Sequence, residues 1–216
     1  RMLVDRSDLQ TIPMLVELSK NLDSPVGRLH ALWTLEGMRQ LSSSEIRRAL
    51  IDPEPGIREN AIKLAELHLD KDPSLAGDLL ALASDNHPKV KFQLLCALGF
   101  VQTPEADKIR QDLLFANIDD PWMQIAALSA PESHKTGLLE AVLARFKDEE
   151  PAYGSLVERL SAMTGSNQDV ATIQRLVTRA TSPSKEGWQG PMLRGLAQGL
   201  RGKDVNELPL GALRGT

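Results

Sequence analysis

Side chains that could bind a metal are few in this sequence. It has four histidines and one cysteine among 216 residues. No common metal motif uses the spacings between these histidines, and a lone cysteine leaves a zinc site short of its usual ligands. The candidate ligands are His30, His68, His87, His134 and Cys96. We therefore predict that the chain binds no metal and no cofactor.

A serine nucleophile is the second chemistry that the spacing of residues suggests. Ser182 and Lys185 match the Ser-x-x-Lys pattern, in which a lysine activates a serine. They stand in "SPSK", among turn-forming residues, and the partner motifs of that enzyme class are missing. We predict a loop at this point and no catalytic residue in the chain. The apolar neighbours of Cys96 predict a buried, unreactive thiol.

Composition and charge narrow the class of protein. Aromatic residues make up 4% of the chain while Leu and Ala recur, which favours helices over sheets. The net charge of −4 gives no overall positive field, so nucleic acid is a disfavoured partner. No apolar run approaches the roughly 20 residues that span a bilayer. The chain starts at Arg1 without a signal peptide, so we expect a fragment of a larger protein.

A proline followed by an apolar helical pattern occurs four times. The prolines are 30, 33 and 33 residues apart, at Pro25, Pro55, Pro88 and Pro121. Three residues after each proline comes a basic or amide side chain, and six and seven residues after it come small or aliphatic ones. The third positions are Arg28, Arg58, Lys91 and Gln124; the sixth and seventh are Ala31, Leu32, Ala61, Ile62, Leu94, Leu95, Ala127 and Leu128. A fixed period of this length indicates a repeat architecture.

Another helical segment precedes each copy, so the repeating unit is a helical hairpin. These segments are predicted at 12–22, 44–51, 73–84 and 104–117. Ser42 with Glu45 has the spacing of a capping box, and Thr103 stands where a helix cap is expected. A hairpin of this size cannot bury its apolar face alone, so successive hairpins must stack. The prediction is an all-α, right-handed α-solenoid, an α-α superhelix of about five to seven helical pairs.

The repeat register weakens after residue 131, although the helical pattern continues. Helices are predicted at 135–147, 152–163, 169–181 and 187–201. We expect one domain over 1–202, with clear repeats at about 8–131, divergent repeats at about 132–202 and a loose tail at 203–216. Gly195 and Gly199, four residues apart in the last helix, predict close packing against another helix.

The repeats resemble HEAT repeats. The resemblance is carried by the spacing near 33 residues, the turn proline, and the acid–base sets Asp52 with Arg58 and Asp85 with Lys91. In HEAT repeats such acids and bases form a ladder along the array. Because the first copy has its acid one place late, at Asp23, and the fourth has Gln124 in place of a base, we expect the ladder to break at both ends.

A narrower resemblance is carried by whole phrases. "GRLHALWTLEGM", "ALIDPEPGIRENAIKLAE" and "GWQGPMLRGLAQGLRG" are similar to the HEAT region of membrane-bound dehydrogenases of the planctomycete type. In that family a sugar-dehydrogenase-like propeller precedes the HEAT region and a c-type cytochrome follows it. The resemblance implies an extracytoplasmic, periplasmic location and a redox-active parent. This chain has no Cys-x-x-Cys-His, so the family's haem attachment does not map onto it.

The sequence is compatible with three functions. The first is a non-catalytic scaffold that binds protein, either flanking domains or another chain, through the second helices of its hairpins. The second is a HEAT-like DNA-repair glycosylase, and the third is a passive spacer between catalytic domains. The candidate protein-binding residues are Arg28, Trp33, Arg58, Lys63 and Trp122, while Trp188 is expected to pack against the last helix. The oligomeric state stays open.

Overall fold

The computed structural model describes residues 4, 8–167 and 169–201, and within 132–136 it describes the backbone only. All regular structure in these described residues is helical. The described part of the chain forms twelve α-helices: α1 Ile12–Leu18, α2 Pro25–Gly37, α3 Ser43–Leu50, α4 Pro55–His68, α5 Leu75–Ala81, α6 Pro88–Ala97, α7 Pro104–Phe115, α8 Pro121–Leu128, α9 Glu132–Ala144, α10 Pro151–Ser166, α11 Val170–Ala180 and α12 Gln189–Arg201. Three short 3-10 helices cover Leu9–Thr11, Leu82–Ser84 and Leu98–Phe100. The all-α prediction is confirmed.

The turn prolines begin the second helices of the hairpins. Pro25, Pro55, Pro88 and Pro121 are each the first residue of an α-helix. Proline suits this position because its φ is already helical and its missing N–H would have no partner there. Pro151 begins α10 in the same way, 30 residues after Pro121, so the proline spacing continues beyond residue 131.

Local signals placed the helix starts better than the helix ends. The Ser42–Glu45 capping box forms, with the Ser42 N–H donating to Glu45 Oε2 at 3.1 Å. Thr103 Oγ1 accepts the Ala106 N–H at 3.1 Å at the start of α7. The helix predicted at 12–22 ends at Leu18, and the one predicted at 73–84 divides into α5 and a 3-10 turn.

The chain forms two compact units, residues 1–116 and 117–216. This division falls inside the segment predicted to hold the clear repeats, 8–131, and the predicted tail, 203–216, lies outside the described residues. In the first unit, α2 packs against α4 and α4 against α6, while α3 packs against α5 and α5 against α7. In the second unit, α10 packs against α9, α11 and α12.

The small and aliphatic positions of the repeat lie in the core. Seven of the eight side chains expected at the sixth and seventh positions are at most 2% exposed, namely Ala31, Leu32, Ala61, Ile62, Leu94, Leu95 and Ala127. Leu128 is half-buried. None of the helices in the described part of the chain is both long and apolar enough to cross a bilayer.

Candidate functional site

A buried arginine–aspartate pair joins the first two hairpins. Arg28 in α2 donates from Nε to Asp52 Oδ2 and from Nη2 to Asp52 Oδ1, both at 2.8 Å. Its remaining Nη1 donates to the Asn21 carbonyl at 2.8 Å. The side chains of Arg28 and Asp52 are only 2% and 7% exposed. Two parallel hydrogen bonds of this kind are among the stronger side-chain contacts in proteins, and they need accurate geometry when buried.

The same arrangement joins the second hairpin to the third. Arg58 in α4 donates from Nε to Asp85 Oδ2 at 2.6 Å and from Nη2 to Asp85 Oδ1 at 3.2 Å. Its Nη1 donates to the Asp52 carbonyl at 2.8 Å. Each arginine therefore closes the turn before its own helix and binds the acid of the following turn. We call the set Arg28, Asp52, Arg58 and Asp85 the ladder.

The ladder corrects the pairing expected from the sequence. Arg58 meets the main-chain carbonyl of Asp52, whereas its ionic partner is Asp85 in the next hairpin. Asp85 was expected to pair with Lys91, which has no ion pair with the described residues of the first unit. The repeat pattern does not reveal this direction, because the second and third copies each have an acid and a base whether the pairs form within a copy or between copies.

Each ladder acid also holds its own turn. Asp52 Oδ1 accepts the Glu54 N–H at 2.9 Å, and Asp85 Oδ1 accepts the His87 N–H at 2.8 Å. Burial by itself raises the pKa of the Asp85 carboxyl. The Arg58 guanidinium and the His87 N–H outweigh that effect and hold the pKa below its ordinary value. Asp85 is therefore charged at neutral pH.

In the fourth copy an amide occupies the ladder position without a charge. Gln124 is 4% exposed and donates from Nε2 to the Ile118 carbonyl at 2.8 Å and to the Ala152 carbonyl at 3.3 Å. It thus closes its own turn, as the arginines do, and also contacts the start of α10. In the first copy, Leu22 stands where the second and third copies have Asp52 and Asp85. The charged pairs therefore stop at both ends, while their hydrogen-bonding pattern continues through Gln124.

Two of the five candidate binding residues are engaged in the fold. Arg28 is buried, and each of its three guanidinium nitrogens donates a hydrogen bond. The Arg58 side chain is 18% exposed, and its partners are Asp85 and two main-chain carbonyls of the preceding turn. If either arginine left these contacts, its aspartate would stay buried without an ionic partner, which is energetically costly. Both arginines therefore belong to the ladder rather than to an accessible surface.

Trp33 and Lys63 lie in neighbouring second helices, α2 and α4, and both side chains are partly exposed. Trp33 is 37% exposed, and its indole Nε1 donates to Asn60 Oδ1 at 3.0 Å. Lys63 pairs with Glu59 at 2.8 Å, one helical turn away. The indole face and the lysine are therefore accessible, although each polar group already has a partner within the fold. A protein-binding role for these two residues stays a prediction.

Trp122 is the most exposed of the three tryptophans. It is 66% exposed at the start of α8, whereas Trp188 is 7% exposed. Trp188 lies just before α12, and Arg179 stands over its ring, 5.3 Å from the centroid. Arg179 in turn pairs with Glu140 at 2.7 Å. Trp188 therefore packs against the helices of the second unit, in the role expected from the sequence.

Helices α10 and α12 approach each other until their backbones touch. A Cβ atom on Gly195 would lie 2.1 Å from the Glu158 carbonyl oxygen, and one on Gly199 would lie 2.1 Å from that of Ala162. Gly165 faces the same contact, with a Cβ position 2.9 Å from the Leu196 carbonyl oxygen. The two glycines that the sequence marked for close packing are at this crossing, and only glycine fits at either position.

The other chemical candidates of the sequence are dispersed. Ser182 Oγ lies 3.0 Å from Ser184 Oγ in an exposed turn, where Lys185 has a positive φ of 54°. His68 Nε2 lies 2.6 Å from Glu36 Oε2, in a contact between α4 and α2. Cys96, expected to be buried, is half-buried. His134 lies where the structure describes only the backbone.

Two surface clefts contain charged residues. One, about 490 Å³ in volume, lies at the turn before α6 and includes Arg58 and Asp85. The other, about 370 Å³, lies in the second unit and includes Glu158 and Arg194. Arg194 Nε donates to Glu158 Oε2 at 3.0 Å. In both clefts the arginine is therefore already paired with a carboxylate.

Three features of the site escaped the sequence analysis. The ladder role of Gln124 and the helix start at Pro151 could have been found by extending the proline alignment by one more copy. The exposure of Ile125 beside Trp122 was harder to predict from the sequence, because both residues fall in an apolar run.

Comparison with protein-family models, curated proteins and solved structures finds no match to this chain.

Proposed function

We propose that this chain is a right-handed α-solenoid of HEAT-like hairpins that acts as a non-catalytic scaffold and binds other proteins. The observation that carries the proposal is the ladder: Arg28 pairs with Asp52, and Arg58 pairs with Asp85 in the next hairpin. Such pairs favour a stacked array, because the arginine of one hairpin binds the aspartate of the following hairpin and so holds the two together. Such arrays offer long surfaces that serve for binding.

The nature of the partner follows from what the second helices expose. Trp33, Lys63 and Trp122 remain accessible, and tryptophan is enriched among the residues that dominate protein–protein binding. The partly exposed charges of α4 include both signs, as in the pair of Lys63 with Glu59. A glycosylase would need a continuous basic groove for DNA, and mixed charge gives no support to that alternative.

We further propose that the chain is the HEAT region of a multidomain, extracytoplasmic oxidoreductase. The support is the resemblance of its phrases to the planctomycete-type dehydrogenases. On this view the redox chemistry belongs to a propeller and a c-type cytochrome elsewhere in the parent protein. The full-length gene tests this directly: a Cys-x-x-Cys-His downstream and a propeller upstream would support it, and other neighbours would contradict it.

The solenoid can be tested by small-angle X-ray scattering. A compact protein of this length has a radius of gyration of about 17 Å. A stacked array of hairpins is elongated, so we expect a clearly larger value and an asymmetric distance distribution. A value at or below the compact one would rule out the extended array.

The binding role can be tested with purified candidate neighbours. The chain is immobilised and exposed to the propeller and cytochrome domains of a dehydrogenase of the resembled type. We expect retention that weakens when Trp33→Ala and Trp122→Ala are combined, and that is unchanged by Ile51→Ser, a control at a residue 79% exposed outside the second helices. Absence of retention would favour the passive spacer.

A further inference from the structure

Helix α8 has one buried side and one exposed apolar side. Met123, Gln124, Ala126 and Ala127 are buried. Trp122 is 66% exposed and Ile125 is 45% exposed. Since residues three apart lie on the same face of a helix, these two side chains form one apolar surface. We call Trp122, Ile125, Asp119 and Asp120 the α8 patch.

The fold does not require a tryptophan at this place. The position directly after the turn proline is Val26, Gly56 and Lys89 in the other three copies. Glycine and lysine at equivalent positions begin helices of the same kind, α4 and α6. A large exposed indole at such a tolerant position is therefore unlike the buried Trp188, whose ring is covered by its neighbours.

Two carboxylates come shortly before Trp122 in the chain. Asp119 and Asp120 are both exposed, and Asp120 Oδ1 accepts the Trp122 N–H at 2.8 Å. That hydrogen bond holds the Asp120 carboxylate at the base of the tryptophan. Neither acid pairs with a basic side chain among the residues that the structure describes. The patch thus combines an aromatic face, an aliphatic side chain and uncompensated negative charge.

We propose that the α8 patch docks a short segment of a partner protein that carries an arginine next to an aliphatic residue. A guanidinium stacks on an indole face and can at the same time pair with a carboxylate, and it sheds its water more readily than an ammonium group does. The aliphatic neighbour covers Ile125. The negative charge disfavours nucleic acid and anionic lipid as occupants. This proposal rests on the proposed function, since it names the partner chemistry of one part of the scaffold.

The probe is a blocked peptide in which arginine–leucine pairs alternate with glycine. The matched peptides replace arginine by glutamate, or leucine by serine. The readout is the set of indole N–H signals in a nitrogen–proton correlation spectrum, with the Trp122 signal identified by its loss in Trp122→Phe. We expect the arginine–leucine peptide to shift the Trp122 signal and to leave the hydrogen-bonded Trp33 and buried Trp188 signals in place.

Variants separate the indole from the charge. Trp122→Ala is expected to weaken binding about 30-fold or more, as for a hot-spot residue. Asp120→Asn keeps the side-chain oxygen that accepts the main-chain N–H of Trp122 and removes only the charge. Combined with Asp119→Asn, it is expected to weaken binding about fivefold and to lower its salt dependence. Ile51→Ser should change nothing.

Several outcomes would overturn the α8 proposal. They are equal shifts with the glutamate peptide, a shift of Trp33 in place of Trp122, no shift at all, or a Trp122 shift that depends on protein concentration without peptide, which would indicate a second copy as the occupant. The proposed scaffold function is decided separately by the retention of whole domains, because Trp33 and Lys63 offer surface outside the patch. Failure of the peptide with retention of a domain would thus remove the α8 site alone.

Discussion

The two compact units differ in the contacts that hold their second helices in place: side-chain ion pairs in the first unit and backbone contacts at glycines in the second. In the first unit, Arg28 and Arg58 reach across to the acids of the next turn through charged hydrogen bonds. In the second unit, α10 and α12 meet through Gly165, Gly195 and Gly199, where the backbones themselves are in contact. Side-chain pairs fix the position of one turn relative to the next, whereas glycine contacts fix how closely two helices approach. The same hairpin plan therefore accepts either device.

Removal of a ladder acid is expected to have the largest effect. Asp52→Ala leaves the Arg28 guanidinium buried without its ionic partner and should lower the free energy of unfolding by about 3–5 kcal/mol. Chemical denaturation followed by circular dichroism measures this. Asp23→Ala is the control, because Asp23 is exposed and lies outside the ladder, and we expect a change within about 0.5 kcal/mol.

The double variant Arg28→Met with Asp52→Leu sharpens the same comparison. Buried pairs can often be replaced by apolar residues at little cost, so we expect the double variant to recover a large part of the stability lost in Asp52→Ala. A loss below about 1 kcal/mol in Asp52→Ala would contradict the account of the ladder, because a buried pair cannot lose one partner so cheaply.

The glycine contact predicts the next largest effect. Gly195→Ala places a methyl group where the Glu158 carbonyl oxygen already lies, so α12 must move away from α10. We expect a loss of about 2–3 kcal/mol in the free energy of unfolding. The control is Gly137→Ala in α9, where an added Cβ meets nothing within 4 Å and should stabilise by about 0.5–1 kcal/mol. Similar effects of the two substitutions would refute the backbone contact.

A smaller gain in stability is expected at the same crossing. Ser161 is 0% exposed, its Oγ has no hydrogen-bond partner among the described residues, and its Cβ faces Gly195. Ser161→Ala keeps that Cβ contact and removes the unsatisfied hydroxyl, so we expect it to stabilise by about 1 kcal/mol. Thermal unfolding would show a higher midpoint. A lower midpoint would mean that the hydroxyl has a partner in solution.

The smallest predicted effect is a loss of stability at low pH. The pKa of Asp85 is lowered, so its ionised form stabilises the fold above the unfolded pKa near about 3.9 and loses that contribution as pH falls through the lower folded value. The pKa of Asp72 is also lowered, to about 2, chiefly by a hydrogen bond from the Ser74 hydroxyl and then by one from Ser43. Asp169 in the second unit has a lowered pKa from its hydrogen bond with Thr172, but it is exposed.

Hydrogen exchange followed against pH measures this difference. Below about pH 4 we expect the amides of α4 and α6 to lose protection before those of α10 and α12. Asp85→Asn should reduce the dependence on pH in that range. Loss of protection in both units at the same pH would show that the ladder contributes no particular sensitivity to acid.

The sequence could predict those features that depend on neighbours along the chain. The helix starts at Pro25, Pro55 and Pro88 followed from proline's fixed φ, and the capping box at Ser42 followed from its spacing to Glu45. The candidate site was harder to predict. Arg28 and Trp122 are both candidate protein-binding residues by type and position, yet one is 2% exposed and the other 66%. Residue type alone cannot distinguish a base that serves packing from a side chain left to solvent.

By itself, then, the sequence determined the helical class, the repeating turn and the core positions, because φ restriction, capping and helical periodicity act over a few residues. Only the tertiary structure decided that Arg58 binds the acid of the following turn, that Gln124 continues the pattern without charge, and that Gly195 must lack a side chain. Those outcomes depend on where the next helix lies, and atoms some thirty residues away in sequence set the distances. Local patterns specify each hairpin, while the approach of the next hairpin selects the partners.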